Sequence, residues 1–462
     1  MSNMNPVTLQ KIDTLRENYL KDEKARVVRN ALVKNDIGTI SRNFDAERNN
    51  PNIFSIDLKT MPVTNQYQSG RCWIFSSMNV LRELIAKKYN MAEFELSQNY
   101  IAFYDKLEKA NWFMECTLQE IDGPVGSDNM RFLLEWAVGD GGQWNMLVSL
   151  VKKYGIAPKS AMPDTYQGSH TSKMNTILNR RLRKFAVDSR KLAQAGKKDE
   201  IPALKETALK EIYGLIASCF GLPPQEFTFE YNDKDGNYHA EYHVKPLDFY
   251  ANLGIDLSDY ISVIHGPTAD KPFHKTYTVK YLGNVVDGEQ VKLLNLPMDE
   301  LKAAAIAQMK DGYPVWFGCD CGKDADRDTG LWDNAQYDYA NTLDMQLDMT
   351  KAEMLDYKES AMNHAMVLTG VNLVDEKPTR WKIENSWGEK IGNKGYFIAS
   401  DSWFDEYTYV VAVHKKYLSE ASQKALLEEP KELLPWDPFG TLADLLLETD
   451  LDQKKIFWFF SL

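Results

Sequence analysis

The apolar residues Ile74, Met78, Leu81, Ile85 and Tyr89 recur at helical spacing with no Pro or Gly after Gly70, so a helix is predicted from about Ser69. Residues 5–45 instead scatter Leu15, Tyr19, Val27, Leu32 and Val33 among many charges. That pattern predicts one or two amphipathic helices facing solvent, closed by a turn-rich patch at residues 48–52. Residues 127–155 read as helical with a break at Gly139, Gly141 and Gly142, and residues 171–215 as helical with a basic start. From 227 to 285, aromatic, His and Val residues alternate between the turn signals Asp235-Gly236-Asn237 and Asp287-Gly288, which predicts strands. A helix over 298–312, ending at Gly312, precedes a buried strand over 314–318. Further strand-like runs follow at 365–371, 379–384 and 395–399. No internal repeat or low-complexity segment interrupts this order.

Composition narrows the picture. A chain of 462 residues has room for one large domain with insertions, or for two domains. Lys and Arg number 54 against 66 Asp and Glu, a formal charge of −12, which argues against a surface built mainly to neutralise phosphates. The first thirty residues hold no apolar core of a secretory signal. No stretch approaches the roughly 20 apolar residues of a membrane span. The five cysteines, an odd and low number, suit a reducing compartment better than a disulfide framework. A soluble cytoplasmic protein without a membrane partner is expected.

Three separated segments carry candidate chemistry. In the first, Asn65 to Trp73, Cys72 falls at the first turn of the predicted helix, where unpaired backbone N–H groups and the macrodipole favour thiolate over thiol. A thiolate there is a nucleophile for acyl transfer, and a neighbouring imidazolium lowers its pKa further. Gln66 can offer a side-chain N–H to a developing oxyanion beside the Cys72 backbone N–H, and Gly70 lets substrate backbone approach. In the second segment His364 opens an apolar strand. In the third, Asn385 ends one and can accept a hydrogen bond from the imidazole, shielded by Trp387. Taken singly, each has a plainer reading: a small buried thiol, a structural histidine, ordinary turn chemistry.

Together, NQ-x(5)-CW at 65–73, the His364-Ala365 strand opening and NSWG at 385–388 resemble the papain-like cysteine peptidases, in the same order. SGRCWIF at 69–75, GGQW at 141–144, PVWFGCD at 314–320, MNHAM at 362–366 and PWDP at 435–438 narrow the resemblance to the branch of bacterial aminopeptidase C and bleomycin hydrolase, over about residues 1–443. The resemblance implies an α+β fold: a papain-like core with a helical hook at 1–58, a helical half at 59–170, an insertion at 171–300, a β half at 301–415 and a C-terminal arm at 416–443. It implies Cys72, His364 and Asn385 as catalytic residues and Gln66 as oxyanion donor, with Gly141, Gly142, Trp387 and Ala443 along the substrate. It further implies peptide substrates, no cofactor or metal, and a homohexameric barrel whose sites face inward.

Departures from that pattern are informative. Secreted members carry a disulfide half-cystine where Ser69 stands, and their Cys-to-His gap is far shorter. Resemblance also implies that the chain ends near Ala443, its terminal carboxylate beside Cys72 to pair with a substrate α-ammonium. Here residues 444–462 continue beyond that point. They are trimmed, thread out of the cleft, or pack elsewhere. An endopeptidase on the same fold is the alternative if the tail leaves the cleft open. A nucleic-acid-binding ring is a further alternative, resting on the basic cluster from Arg180 to Lys198, for which a solvated helix face or subunit contact is the plainer reading. Residues 324–330 echo a calcium loop but place Ala335 where a bidentate Glu is needed, so a solvated acidic turn is expected. Cys319 and Cys321, lacking a second pair, read as strand-end thiols rather than zinc ligands.

Overall fold

The computed structural model describes residues 4–445. The charged arm forms the helices Leu9–Lys21 and Glu23–Leu32, neither with a buried residue, as their sparse apolar positions predict. Two short helices follow, Ile37–Ser41 and Phe44–Asn49. The expected turn at 48–52 therefore begins late. Asn43 caps the last of these helices from its side chain, which keeps Arg48 and Asn49 helical.

An ion pair from Arg42 to Asp326 fastens the arm to the body, with backbone bonds from Asn43 to Gln336 (2.9 Å) and from Asp338 to Ser41 (2.7 Å). This corrects the expectation of a solvated acidic turn. Asp326 is buried, its carboxylate taken by Arg42 and by the N–H groups of Asp328 and Thr329.

Helix Cys72–Tyr89 runs through the middle of the molecule with Ile74, Met78, Leu81 and Ile85 all buried. Packed around it are Gln98–Gln119, Asp128–Trp136 and Trp144–Tyr154, the last two separated by the glycine break the sequence predicts. The basic stretch is two helices rather than one, Ser172–Gln194 and Ile201–Phe220, because the chain turns at Gly196 with φ +73°. Much of its charge is engaged within the chain. Arg181 pairs with Glu211, Lys184 with Asp188 and Lys198 with Asp122, while Arg190 donates to the Glu120 carbonyl.

The second half is built on one long sheet. Its centre runs antiparallel in the order Tyr260–Ile264, Thr408–His414, Val315–Cys319, His364–Val374, Lys377–Glu384, Tyr396–Ser400. Strands Lys275–Val279 and Leu293–Asn295 extend the same sheet beyond Tyr260–Ile264, so the β-rich end of the 171–300 segment is continuous with the strand that carries His364. Residues 227–244 form a separate hairpin, Phe227–Asn232 with Tyr238–Val244, turning at Asp235-Gly236-Asn237. The strand His364–Val374 is buried over its first eight residues, between Val315–Cys319 and Lys377–Glu384. Burial on both faces explains its unbroken apolar run. Among the described residues no helix is long and apolar enough to cross a membrane.

Candidate active site

Cys72 is the first residue of its helix, and the loop before it is locked from inside. The Ser69 hydroxyl donates to the Gln66 carbonyl (2.6 Å), and the buried Arg71 donates from Nε to Ser69 Oγ (3.0 Å). Arg71 also carries the first helical bonds, its carbonyl accepting from Ile74 (2.9 Å) and Phe75 (3.0 Å). Gln66 is fully buried and ties this loop to the NSWG segment. Its N–H donates to the Ser386 carbonyl (2.8 Å), and its Oε1 accepts from Ser386 Oγ (2.7 Å). The side-chain amide is thus oriented with Nε2 toward the cleft, where it donates to the carbonyls of Ser69 (2.6 Å) and Leu445 (3.0 Å).

His364 and Asn385 come together, as the resemblance implies. Their strands are neighbours, and His364 Nε2 lies 2.9 Å from Asn385 Oδ1, which also accepts from the Ser386 N–H at 2.8 Å. An atom that accepts from a backbone N–H is an oxygen, so Nε2 carries the proton and Nδ1 is left as the basic nitrogen. Nδ1 is buried and makes no hydrogen bond among the described residues. Trp387 stacks on the imidazole with ring centres 5.0 Å apart, covering the His364–Asn385 bond from solvent. The helix that Cys72 opens also packs against the strand that His364 opens.

The helix start does not deliver the expected thiolate in this arrangement. Burial, with the Asp444 carboxylate nearby, pushes the Cys72 thiol up to about 12, against donation from Ala365 and Leu445. Burial likewise lowers His364 to about 4 despite the bond to Asn385. Both groups are neutral at pH 7, since removing water costs a charged pair more than the dipole returns. The cause of that burial is visible. The C-terminal arm enters the cleft, and Ala443 pairs antiparallel with Gly142, each N–H donating to the other's carbonyl at 3.2 Å. The next residue donates from its N–H to the Asn363 carbonyl (3.0 Å). Ala443, Gly141 and Gly142 therefore lie together, as the resemblance implies. Residues 446–462, most of the unusual extension, lie outside the described residues.

Two buried carboxylates that hold the site escaped the sequence reading. Asp140, just before the glycine pair, accepts from the Gly70 N–H (2.9 Å), Asn175 (2.8 Å), Thr171 and Lys106 (2.5 Å). Burial alone would raise its pKa, but Lys106 and these donors override that and hold it well below the usual carboxylate range. Asp320 accepts from Asn363 Nδ2 (2.7 Å), Ser360 Oγ (2.8 Å) and the Gly322 N–H (3.2 Å), fixing the residue before His364. A third carboxylate, Glu384, sits beside Asn385 and crosses to the Cys72 helix, accepting from Asn79 (2.9 Å) and Arg82 (2.8 Å). The available signal was position: Asp140 directly precedes the glycine pair, Glu384 directly precedes Asn385, and Asp320 closes the 314–320 motif.

A thiol at a helix start, an imidazole oriented by an amide and an amide donor over the same cleft are the parts of a papain-like hydrolase site. The Peptidase C1-like family matches residues 6–440, and the chain belongs to that family. Among its relatives, aminopeptidase C of Listeria monocytogenes is 46% identical over 438 residues, covering 95% of this chain and 99% of that protein. Aminopeptidase C of Lactococcus lactis subsp. lactis is 45% identical over 439 residues, covering 95% of this chain and 100% of its own length. The crystal structure of PepW from Lactobacillus rhamnosis HN001 superposes with a TM-score of 0.93 at 46% identity, covering 96% of this chain and all of that one.

Proposed function

We propose that this chain is a thiol-dependent aminopeptidase that releases N-terminal residues from peptides through an acyl-enzyme on Cys72. The observation that carries the reading is the pairing of Ala443 with Gly142 beside Cys72. The arm takes the backbone-pairing position along the glycines, so a chain ending at Ala443 leaves for substrate only the stretch that Asp444 and Leu445 now fill. A peptide extended further at its N-terminus collides with the arm. A chain ending at Ala443 would present its carboxylate to the α-ammonium of the first substrate residue.

In the proposed reaction His364 Nδ1 takes the Cys72 proton, and sulfur adds to the first peptide carbonyl. Gln66 Nε2 and the Cys72 N–H hold the oxyanion, and the imidazolium protonates the leaving amine. Water activated by His364 then clears the thioester. Asn385 keeps the ring in the required tautomer throughout. The test is Cys72→Ala with a free-amine peptide and its N-acetylated twin. Wild-type protein is expected to cut only the free-amine peptide and the variant neither, with unchanged circular dichroism. Hydrolysis by the variant refutes the nucleophile, and equal cutting of both peptides refutes the exopeptidase reading.

The chain is further proposed to assemble with copies of itself, as the resemblance implies for a hexamer. Supporting this, the first two helices leave Leu9, Ile12, Leu15, Tyr19, Leu20 and Val27 exposed. Light scattering of the purified protein checks it. A cytoplasmic setting fits the five cysteines, all of them unpaired thiols.

A further inference from the structure

We propose that the chain beyond Ala443 is an intramolecular pseudosubstrate, in which Asp444 and Leu445 lie across Cys72 in a non-productive register and hold the full-length protein latent. The inference rests on the peptidase reading above and concerns what that site does while the tail is attached.

Four independent contacts place this strand. Ala443 pairs with Gly142 in both directions. The Asp444 N–H donates to the Asn363 carbonyl at 3.0 Å, the acceptor that Asp320 fixes. The Asp444 side chain fills a hollow made by glycines. A methyl group on Gly139 would come within 2.8 Å of its Oδ2, one on Gly141 within 2.5 Å of its Cβ, and one on Gly70 would clash with Oδ1. Finally, the Leu445 carbonyl accepts from Gln66 Nε2 at 3.0 Å.

The register explains why the strand blocks rather than reacts. The Asp444 N–H is held by the Asn363 carbonyl and the Leu445 carbonyl by Gln66, so the Asp444–Leu445 peptide bond lies between these two anchors. Attack on that bond needs the Asp444 carbonyl under the Gln66 donor. Gln66 instead holds the carbonyl of Leu445, one residue further on. The polarising donor and the reacting carbonyl are out of step.

Occupation also disarms the pair electrically. The strand excludes water from Cys72 and brings a carboxylate near it, and both effects favour thiol over thiolate. Asp444 itself is an uneasy occupant. Burial and the neighbouring Asp140 raise it to about 7, against Lys106, Lys109 and the Gly141 N–H. A plug of this kind is released by loss of the residues after Ala443, which frees the glycine hollow, the Asn363 carbonyl and Gln66 together.

The experiment compares three purified proteins: the full-length chain verified by intact mass, a chain ending at Ala443, and full-length Asp444→Pro, which lacks the N–H given to Asn363. Two readouts are used, hydrolysis of a leucyl fluorogenic amide and the rate of Cys72 alkylation by iodoacetamide, located by peptide mapping. The chain ending at Ala443 is expected to exceed the full-length chain by about tenfold or more in both, because only the open fraction of the latter can react. Asp444→Pro is expected to fall between them. Equal alkylation rates for all three overturn the latency while leaving the aminopeptidase reading intact. Faster alkylation of the shortened chain without any amide hydrolysis supports the plug and counts against the aminopeptidase reading instead. Recovery of wild-type protein cut between residues 443 and 446, with Cys72→Ala remaining whole, makes the strand a substrate and overturns the proposal.

Discussion

Asp140 and Lys106 form an ion pair at 2.5 Å in which both side chains are 1% exposed. A carboxylate so buried is tolerable only because its acceptor sites are filled, and one of its donors is the N–H of Gly70, two residues before the proposed nucleophile. Removing one partner strands the other. Asp140→Ala is expected to lower stability by about 3–5 kcal/mol, measured by urea denaturation. Asp140→Asn should cost less at neutral pH. Because the folded-state pKa lies below the ordinary 3.8, the wild-type advantage over Asp140→Asn is full above that value and shrinks as pH falls through it.

Glu384 has the opposite sign. Burial raises it from 4.5 to about 7 despite Arg82, so the folded state holds a proton that the unfolded chain releases. Its contribution to stability is present below 4.5 and declines as pH rises to about 7. Glu384→Gln should flatten that part of the curve, so wild type loses stability relative to the variant between pH 5 and pH 7.5. A difference that stays constant between those two buffers refutes the assignment.

His364→Ala should reduce kcat by about 10²–10⁴. Asn385→Ala should cost less, because Trp387 still stacks on the ring and limits its tilt. The discriminating measurement is the pH–rate profile. Asn385→Ala loses the hydrogen bond that favours the protonated ring, so the imidazole should titrate at lower pH in the variant than in wild type.

Gln66→Ala should lower kcat by about 10²–10³ through loss of one oxyanion donor. Ser386→Ala tests the supporting bond, since Ser386 Oγ fixes which end of the Gln66 amide faces the cleft. It should lower kcat by a smaller factor with KM little changed.

Gly142→Ala is expected to be damaging for a steric reason. A methyl group there would sit 2.5 Å from the Trp73 ring, which is itself pinned by its Nε1–H to the Asp140 carbonyl at 2.6 Å. Overpacking of this kind costs about 1–3 kcal/mol. It also pushes the pairing strand out of register, so KM should rise along with the drop in thermal midpoint.

The elements around the site were legible because their periodicity is set by burial. The Cys72 helix and the strand at 364 both read correctly from apolar spacing, and the order of the motifs already set His364 beside Asn385. The stretch at 171–215 read as helical without its internal boundary, because a single glycine near its middle carries little weight in a pattern count, whereas Gly196 turns the chain. The acidic turn misled for another reason: Asp326 is buried by Arg42, which lies 284 residues away. Local polarity cannot report a partner that distant. The upward shift of Cys72 was illegible for a similar reason, since Asp444, which adds to the effect of burial, stands 372 positions further along the chain.

The Arg82–Glu384–Asn79 junction has a consequence for how peptides arrive. It rivets the helix that bears the sulfur to the strand that leads into Asn385, deep in the seam between the two walls of the groove. Parting the helix from the strand would leave a guanidinium and a carboxyl group without partners away from water, so the two elements stay together as a peptide enters.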